Sequence, residues 1–543
     1  MASSANGAQP GRPMSANSSN PSSSASYVRS LAAKLALLIG SDRDTVLAEV
    51  RGQLAGCTSK HLSMLGSKLR AAQELARVRV VGGSPTAGSG CGYGAPTGVV
   101  GKSFPRVLED ELHAAWPGAS LDYDVHGGGG LGSRYYSSCL DNMVPAAADL
   151  VVLDLSLNDI EGSSEQRADA FELVLGQLEQ LRVGAVLTTS WEPSPGAQSF
   201  GSRHYIGRVG RAVAANPIIY AQAARAGPRR FLCAVSPLPL LGINRSARVR
   251  VAANITRFWD GQGWHPSFYG HRLVGLHIAL LLACAADVGC NATTPAATSP
   301  QPLPIASNVS RPRARAKSLC FTGPRLQAVV APPLTDAVDE GWTFTDEGRG
   351  KWGYVGLAAH GELTISLGLD AAIFQPILPP MPLPVPYVPA APTAAADAAA
   401  ADAAAADAAA DAADARVELA AFGRSLRDKC QKTSHRNCDT LPTTFAVEIG
   451  YLSSYGAEYG NLSLACRNCT CGRIKGWWPF PKVNTRNQGA HVSIWESTFF
   501  MVHCEPGHSL TLKVGQQPPD DGGTYGSKVK VLGVKLHWPD FLQ

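Results

Sequence analysis

A chain of 543 residues with a formal net charge of only +5 is too long for one hydrophobic core and too nearly neutral to point to nucleic acid or an anionic membrane as a partner. Its length predicts roughly two or three domains. Charged residues make up 17% of the chain, against about 25% in an average soluble protein; Gly, Pro and Ala fill the difference, so long loops and low-complexity inserts are expected.

Residues 1–26 are rich in Ser, Ala and Asn without an apolar centre and read as a disordered leader. The run Leu31 to Ile39 is broken by Lys34 and makes a poor signal peptide, while a Ser-rich, acid-poor leader also has the composition of a transit peptide, which leaves plastid targeting open. From Tyr27 to Leu75 apolar residues recur at helical spacing (Leu31, Leu35, Leu38; Val46, Val50, Leu54; Leu62, Leu65, Leu69), predicting two or three helices. Strands and helices then alternate. Strand Arg77 to Val81 precedes helix Ser103 to Trp116, strand Ser120 to Val125 precedes helix Ser133 to Met143, and strand Asp149 to Leu155 precedes helix Ser163 to Leu181. Strand Val183 to Thr189, a helix within Ile206 to Ala226, strand Arg230 to Val235 and helix His271 to Ala286 complete the series. Five short strands separated by helices predict a doubly wound parallel sheet, an α/β domain spanning residues 27–290 with its N-terminal helices. The run Leu273 to Ala286 is too short to span a bilayer, so no membrane span is expected.

Residues 291–317 are Thr/Pro/Ser-rich, end in basic RPRARAK, and read as a linker. Beyond it, short alternating stretches predict an all-β, sandwich-like domain over 318–543: Trp342 to Phe344, Trp352 to Val355, Leu363 to Leu367, Phe445 to Leu452, Leu462 to Ala465, Val492 to Trp495, Leu510 to Val514 and Val529 to Leu536. A low-complexity insert, 375–416, interrupts it, first proline-dense and then almost pure alanine spaced by aspartates; a stiff extended segment followed by an exposed helix is expected. Thirteen cysteines, an odd number that leaves at least one unpaired, and Asn-x-Ser/Thr sequons at Asn244, Asn254, Asn291, Asn308, Asn461 and Asn468 point to a glycosylated, disulfide-bonded protein of the secretory pathway or the extracellular space.

Chemistry is concentrated where predicted strands end. Val78, Val80 and Val81 run into Gly82-Gly83, so Ser84 stands at a strand tip, where ligands bind in open parallel sheets; a serine after glycines also caps helices. The glycine run ending at Gly130 follows the second strand and frees backbone N–H groups for an anion. Asn158 follows the third strand, and His265 follows the fifth. A serine, two donor sites and a late histidine are the parts of acyl transfer: nucleophile, oxyanion hole and general base.

VGGSPTAG, GGGLGSRYY, DLSLND and DGQGWHPSFYGHR, in this order over about residues 76–286, resemble the four sequence blocks of the SGNH (GDSL-type) hydrolases. They most resemble a plant- and alga-type branch that reads GGS-x-TAG at the serine. The tail from CFTGPRLQ through FTDEGRGKWGYV to CRNCTCG and KVKVLGVKL is similar to the region C-terminal to such domains in that branch. The resemblance implies a flavodoxin-like α/β/α sandwich in which Ser84 is the nucleophile and His265 the base. Its oxyanion hole would be made by the Ser84 N–H, the Gly130 N–H (Gly132 being the next choice) and the Asn158 side chain. The family's acid stands three residues before the histidine, where this chain has Gln262. The nearest carboxylate is Asp260, and Gly261 and Gly263 make the loop pliable enough for it to reach His265. His271 reads as a helix-start residue.

GVVGKS at Gly98 to Ser103 imitates a phosphate-binding loop but lacks its first glycine, Pro96 standing there. CRNCTC could hold a metal, but a sequon within it and the surrounding β pattern favour disulfides. The expectation is a serine esterase that needs no metal or cofactor and acts on a small-molecule or carbohydrate ester by an acyl-enzyme route, with possible glycan binding by the β domain. An O-acyltransferase to a sugar hydroxyl and a catalytically inactive glycan-binding protein are the alternatives, the displaced acid favouring the latter.

Overall fold

In the computed structural model the described residues are 22–55, 57, 59–71, 74–159, 164–192, 216, 219–220, 232–242, 253–287, 290, 318–322, 326, 329–330, 342–346, 352–356, 362–367, 443–453, 461–472, 482–484, 494–504, 510–517 and 529–537. The linker 291–317 and the insert 375–416 lie outside them. Three helices open the chain, α1 (Ser22–Ile39), α2 (Arg43–Ala55) and α3 (Ser59–Ala71). The first begins at Ser22, so the end of the expected disordered leader is helical, and Leu31, Ala32 and Leu35 form its fully buried stripe.

Strands β1 (Leu75–Gly82), β2 (Ser120–Gly127), β3 (Leu150–Asp154), β4 (Ala185–Thr189) and β5 (Leu232–Val235) form one sheet in the order β2-β1-β3-β4-β5. Every pairing is parallel. The strand order reverses at β1, whose neighbours are β2 and β3, so the loops leaving β1 and β3 flank the crevice that such sheets use for ligands. Register aligns Gly82 with Gly127 on one side and with Asp154 on the other. Three strands therefore end in one row.

Helices α4 (Phe104–Ala115), α5 (Ser133–Cys139, continued by a 3-10 turn over Leu140–Asn142), α6 (Ser164–Gln180) and α7 (Phe268–Ala286) cover the sheet. Alternate strand residues go to opposite faces. Val78, Val80, Leu150 and Val152 pack with α1–α4 and α7, while Val81, Val151, Leu153 and Val186 pack with α5 and α6. The result is an α/β/α sandwich. Arg79, nearly buried within β1, is satisfied by Asp122 of β2, whose carboxylate its guanidinium meets at 2.9 Å. The α7 helix is long and apolar enough to cross a bilayer, but it is buried along almost its whole length by the other helices on its face of the sheet. The helix expected within Ile206 to Ala226 falls mostly outside the described residues; Asn216, Ile219 and Tyr220 are helical.

The remaining strands are β6 (Ser318–Thr322), β7 (Trp342–Asp346), β8 (Trp352–Gly356), β9 (Glu362–Leu367), β10 (Thr443–Ser453), β11 (Asn461–Arg467), β12 (Cys469–Gly472), β13 (Lys482–Asn484), β14 (Ile494–Cys504), β15 (Leu510–Gln517) and β16 (Val529–His537). They form two antiparallel sheets, β12-β14-β10-β16-β8-β7, with β6 also on β16, and β13-β11-β15-β9. Val447, Ile449, Val502 and Val534 of the first share a core with Leu363, Ile365, Leu464 and Leu512 of the second, which makes an all-β sandwich. Strand β14 runs to Cys504, far past the Trp495 expected, and β6, β12 and β13 were not among the expected strands.

Five disulfides join described residues: Cys57–Cys233, Cys139–Cys320, Cys284–Cys290, Cys466–Cys471 and Cys469–Cys504. The cysteines of CRNCTC are thus disulfide-bonded. Cys91 is free.

Candidate active site

Strand β1 stops because Gly82 and Gly83 enter a space that side chains would overfill. A Cβ at Gly82 would lie 2.2 Å from Thr86 Oγ1, and one at Gly83 would lie 1.4 Å from Asn158 Nδ2. The chain then turns, with Gly83 N–H donating to the Asp154 carbonyl (2.9 Å), Ala87 N–H to Gly83 (3.1 Å) and Ser89 N–H to Ser84 (2.9 Å). Ser84 is buried in this turn and caps no helix, since the next one begins at Phe104. Beneath it the Thr86 hydroxyl donates to Asp154 Oδ2 at 2.9 Å. Burial raises the Asp154 carboxyl to about 7 against the opposing Thr86 hydrogen bonds.

His265 comes from a loop closed on itself. Trp259 and Pro266 pair across its base, Asp260 N–H donates to the His265 carbonyl at 2.8 Å, and Gly263 N–H donates to the Asp260 carbonyl at 2.9 Å. Gly263 has φ +76°, which a side chain would resist. This tight turn carries the out-of-register acid to the ring: Asp260 Oδ2 stands 3.1 Å from His265 Nδ1. Asp260 Oδ1 accepts the Gln262 and Trp264 N–H groups at 3.2 and 3.0 Å. Burial works to raise the Asp260 carboxyl, but the hydrogen bond and charge of His265, with the Trp264 and His265 N–H groups, outweigh it and hold the group below its ordinary range. At the other end of the ring, His265 Nε2 lies 3.1 Å from Ser84 Oγ. With the Nδ1 proton held by Asp260, Nε2 is free to accept the serine proton.

The nucleophile turn and the histidine loop are fitted together. Gly90 has φ +88°, and a Cβ there would lie 2.4 Å from the Pro266 carbonyl and 3.1 Å from His265 Cβ. Phe268 N–H donates to the Tyr93 carbonyl at 2.9 Å. His271, expected only to start a helix, does more. Its Nδ1 accepts the Phe104 N–H at 3.1 Å, and its Nε2 meets the Ser89 carbonyl at 3.0 Å, fastening the serine turn to α7 and α4. Burial lowers its pKa to about 4, so the ring is a neutral tautomer with the proton on Nε2.

Asn158 stands four residues beyond β3, and its Nδ2 is buried without a hydrogen-bond partner among the described residues, over Gly83 and therefore beside Ser84. Gly130, in the loop leaving β2, has φ +83°. Gly132 begins α5 against Asp159 Oδ1, which a Cβ would approach to 2.3 Å. His126, at the end of β2, is turned to Asp124, its Nε2 3.0 Å from the carboxylate. Asp154, Asp159 and His271 belong to the site's framework yet carried no functional reading in the sequence, where they are a strand-end carboxylate, a loop carboxylate and a helix-start histidine. Among the described residues no three His, Cys, Asp or Glu side chains gather as metal ligands.

No protein-family model and no curated protein matches this chain. Among solved structures it is similar to a two-domain esterase active on acetylated mannans, co-crystallised with mannopentaose, at 12% identity over 89% of this chain and 95% of that one, with a TM-score of 0.46. A catalytic mutant of an acetylxylan esterase from Geobacillus stearothermophilus matches at 13% identity over 38% of this chain and 94% of that one, with a TM-score of 0.28. A lipase/acylhydrolase from Enterococcus faecalis matches at 14% identity over 38% of this chain and 95% of that one, with a TM-score of 0.26. At such identities and scores, what this chain does rests on its own geometry.

Proposed function

We propose that this chain is a serine esterase of the SGNH type. The observation that carries the reading is the line of contacts from Ser84 Oγ through the two nitrogens of His265 to Asp260, each 3.1 Å long. Ser84 Oγ attacks the ester carbonyl carbon while His265 Nε2 takes its proton, and Asp260 steadies the imidazolium that forms. The carbonyl electrons move onto oxygen, where the Ser84 N–H, the Gly130 N–H and Asn158 Nδ2 meet the new charge. Collapse expels the alcohol, which leaves with the proton from His265. Water, deprotonated by the same nitrogen, then attacks the acyl-serine, releases the acid and restores Ser84.

The unpartnered Asn158 amide supports this reading, because a buried donor awaiting an acceptor suits a charge that appears only during reaction. The displaced acid favours an inactive protein, and the Asp260–His265 contact supports the esterase reading against it. The substrate is a small-molecule or carbohydrate ester, deacetylation being one such reaction. Five disulfides among the described residues and the sequon at exposed Asn468 support a secretory or extracellular setting.

Ser84→Ala should lower p-nitrophenyl acetate turnover by roughly a thousandfold or more. A fluorophosphonate probe should label the wild-type protein at Ser84. Retained turnover in the variant, or folded wild-type protein that takes no label, overturns the reading.

A further inference from the structure

Beside Asn158 lies a buried carboxylate to which the mechanism above gives no part. Asp159 is 6% exposed. Its Oδ1 accepts the Ser133 N–H at 2.5 Å, and its Oδ2 accepts the Ser133 and Tyr220 hydroxyls. Its carbonyl accepts Asn216 Nδ2 at 2.7 Å, and the same amide reaches the Ser156 carbonyl at 2.7 Å. Asn216 is held in turn by Arg167 Nε at 3.0 Å.

We propose that Asp159 is the positioning residue that registers the two loops of the oxyanion hole. The inference rests on the esterase reading. One loop contributes Asn158, the residue before Asp159. The other contributes Gly130, three residues before Ser133, and is gripped by the Asp159 carboxylate at both the backbone and the hydroxyl of Ser133. The Leu131 carbonyl, between them, lies close enough to meet a Cβ at Gly83 at 3.1 Å, and the Asn158 amide covers the same glycine. Gly132 has no side chain because the carboxylate occupies that space. Asp159 acts through Asn158 and Gly130, fixing the distance between two donors whose effect depends on their aim. Burial raises its pKa against the opposing Ser133 and Tyr220 bonds, a desolvation that a surface carboxylate would avoid.

The test is a double-mutant cycle on p-nitrophenyl acetate with wild type, Asn158→Ala, Asp159→Ala and the double variant. Asp159→Ala should lower kcat by roughly tenfold to a hundredfold with KM changed by less than about threefold. The double variant should be clearly more active than the product of the two single effects requires, since one of the two positioned donors is already gone. A merely structural Asp159 would lower the melting temperature while its rate effect multiplied that of Asn158→Ala. That multiplication, or a wild-type kcat in Asp159→Ala, overturns the proposal. If Asp159→Ala does not fold, Ser133→Ala removes the hydroxyl grip on the same carboxylate and takes its place in the cycle. A fall in kcat that Asn158→Ala absorbs at least in part then supports the proposal, and a fully multiplied or absent effect overturns it. An inert wild type, or a Ser84→Ala variant as active as wild type, is a different result: it refutes the esterase reading and the inference with it.

Discussion

Asn158 Nδ2 is buried and unpartnered among the described residues, and a donor left so costs on the order of 1–3 kcal/mol. Under the proposed mechanism that cost is carried in a group whose acceptor arrives only with the transition state. Asn158→Ala should therefore lower kcat by roughly a hundred- to a thousandfold while the unfolding free energy in urea stays at or above the wild-type value. An unchanged kcat would remove Asn158 from the hole. Asp154 shows its strain through pH instead. Its carboxyl is raised to about 7 in the folded protein, against about 3.9 in an unfolded chain. The neutral acid is the form the fold prefers, so its contribution is fully present below about pH 4 and is lost as pH rises through about 7. Between pH 5 and pH 8 wild type should thus lose unfolding free energy relative to Asp154→Asn, by an amount on the order of a few kcal/mol at most. Parallel stability curves for the two proteins would refute that protonation state.

At the scale of elements, the site is three loops leaving β1, β2 and β3 and a fourth closed between Trp259 and Pro266, fitted by glycines at the points of closest approach. Gly90→Ala combines a left-handed φ with a clash against the Pro266 carbonyl. It should lower kcat at least tenfold and the unfolding free energy by about 1–3 kcal/mol; wild-type values of both would show that the two loops are free to part. These fits also mark what could be read beforehand. The strand β1 was legible because Val78, Val80 and Val81 end at paired glycines, and the α/β/α order because buried parallel strands are short apolar runs between amphipathic helices. That Ser84 faces His265 was implied by a resemblance, since residues 181 apart are joined by topology and by no local pattern. Asp260 is legible as the nearest carboxylate but stands out of register, and only the turn at Gly263 shows how it reaches Nδ1. The end of strand β14 is not legible as a strand because Phe499 to Val502 is apolar without alternation; β10 pairs it along its length and β12 adds a second partner from Met501 to Cys504. Strands β12 and β13 are too short for a periodic signal, and their identity lies in partners far along the chain.

The parallel sheet's layers and the β sandwich meet at α5, the helix that follows the loop leaving β2. Cys139 at the end of α5 is bonded to Cys320 of β6, and Asn142 Nδ2 donates to the Cys320 carbonyl at 2.7 Å. Leu532 of β16 shares a core with Tyr135, Tyr136 and Phe171. Lys535 Nζ lies 5.9 Å from the Tyr135 ring centre and 3.4 Å from Glu448 Oε1, both charges buried. Burial lowers the Lys535 pKa, and Glu448 opposes it; such a pair is held by its surroundings more than it stabilises them. The β sandwich therefore braces α5 from behind, and the first residue of α5, Ser133, is the one that Asp159 grips. Removing the brace should be felt at both ends. Replacing Cys139 and Cys320 together with alanine frees a loop of 181 residues and should lower stability by about 2–5 kcal/mol, read as a fall in melting temperature. Because the slack arises in α5, kcat on p-nitrophenyl acetate should fall as well, by roughly threefold to tenfold, with fluorophosphonate labelling of Ser84 slowed in proportion. A fall in melting temperature with kcat and labelling unchanged would mean that the α/β domain holds its oxyanion loops unaided and that the β sandwich serves something other than the chemistry at Ser84.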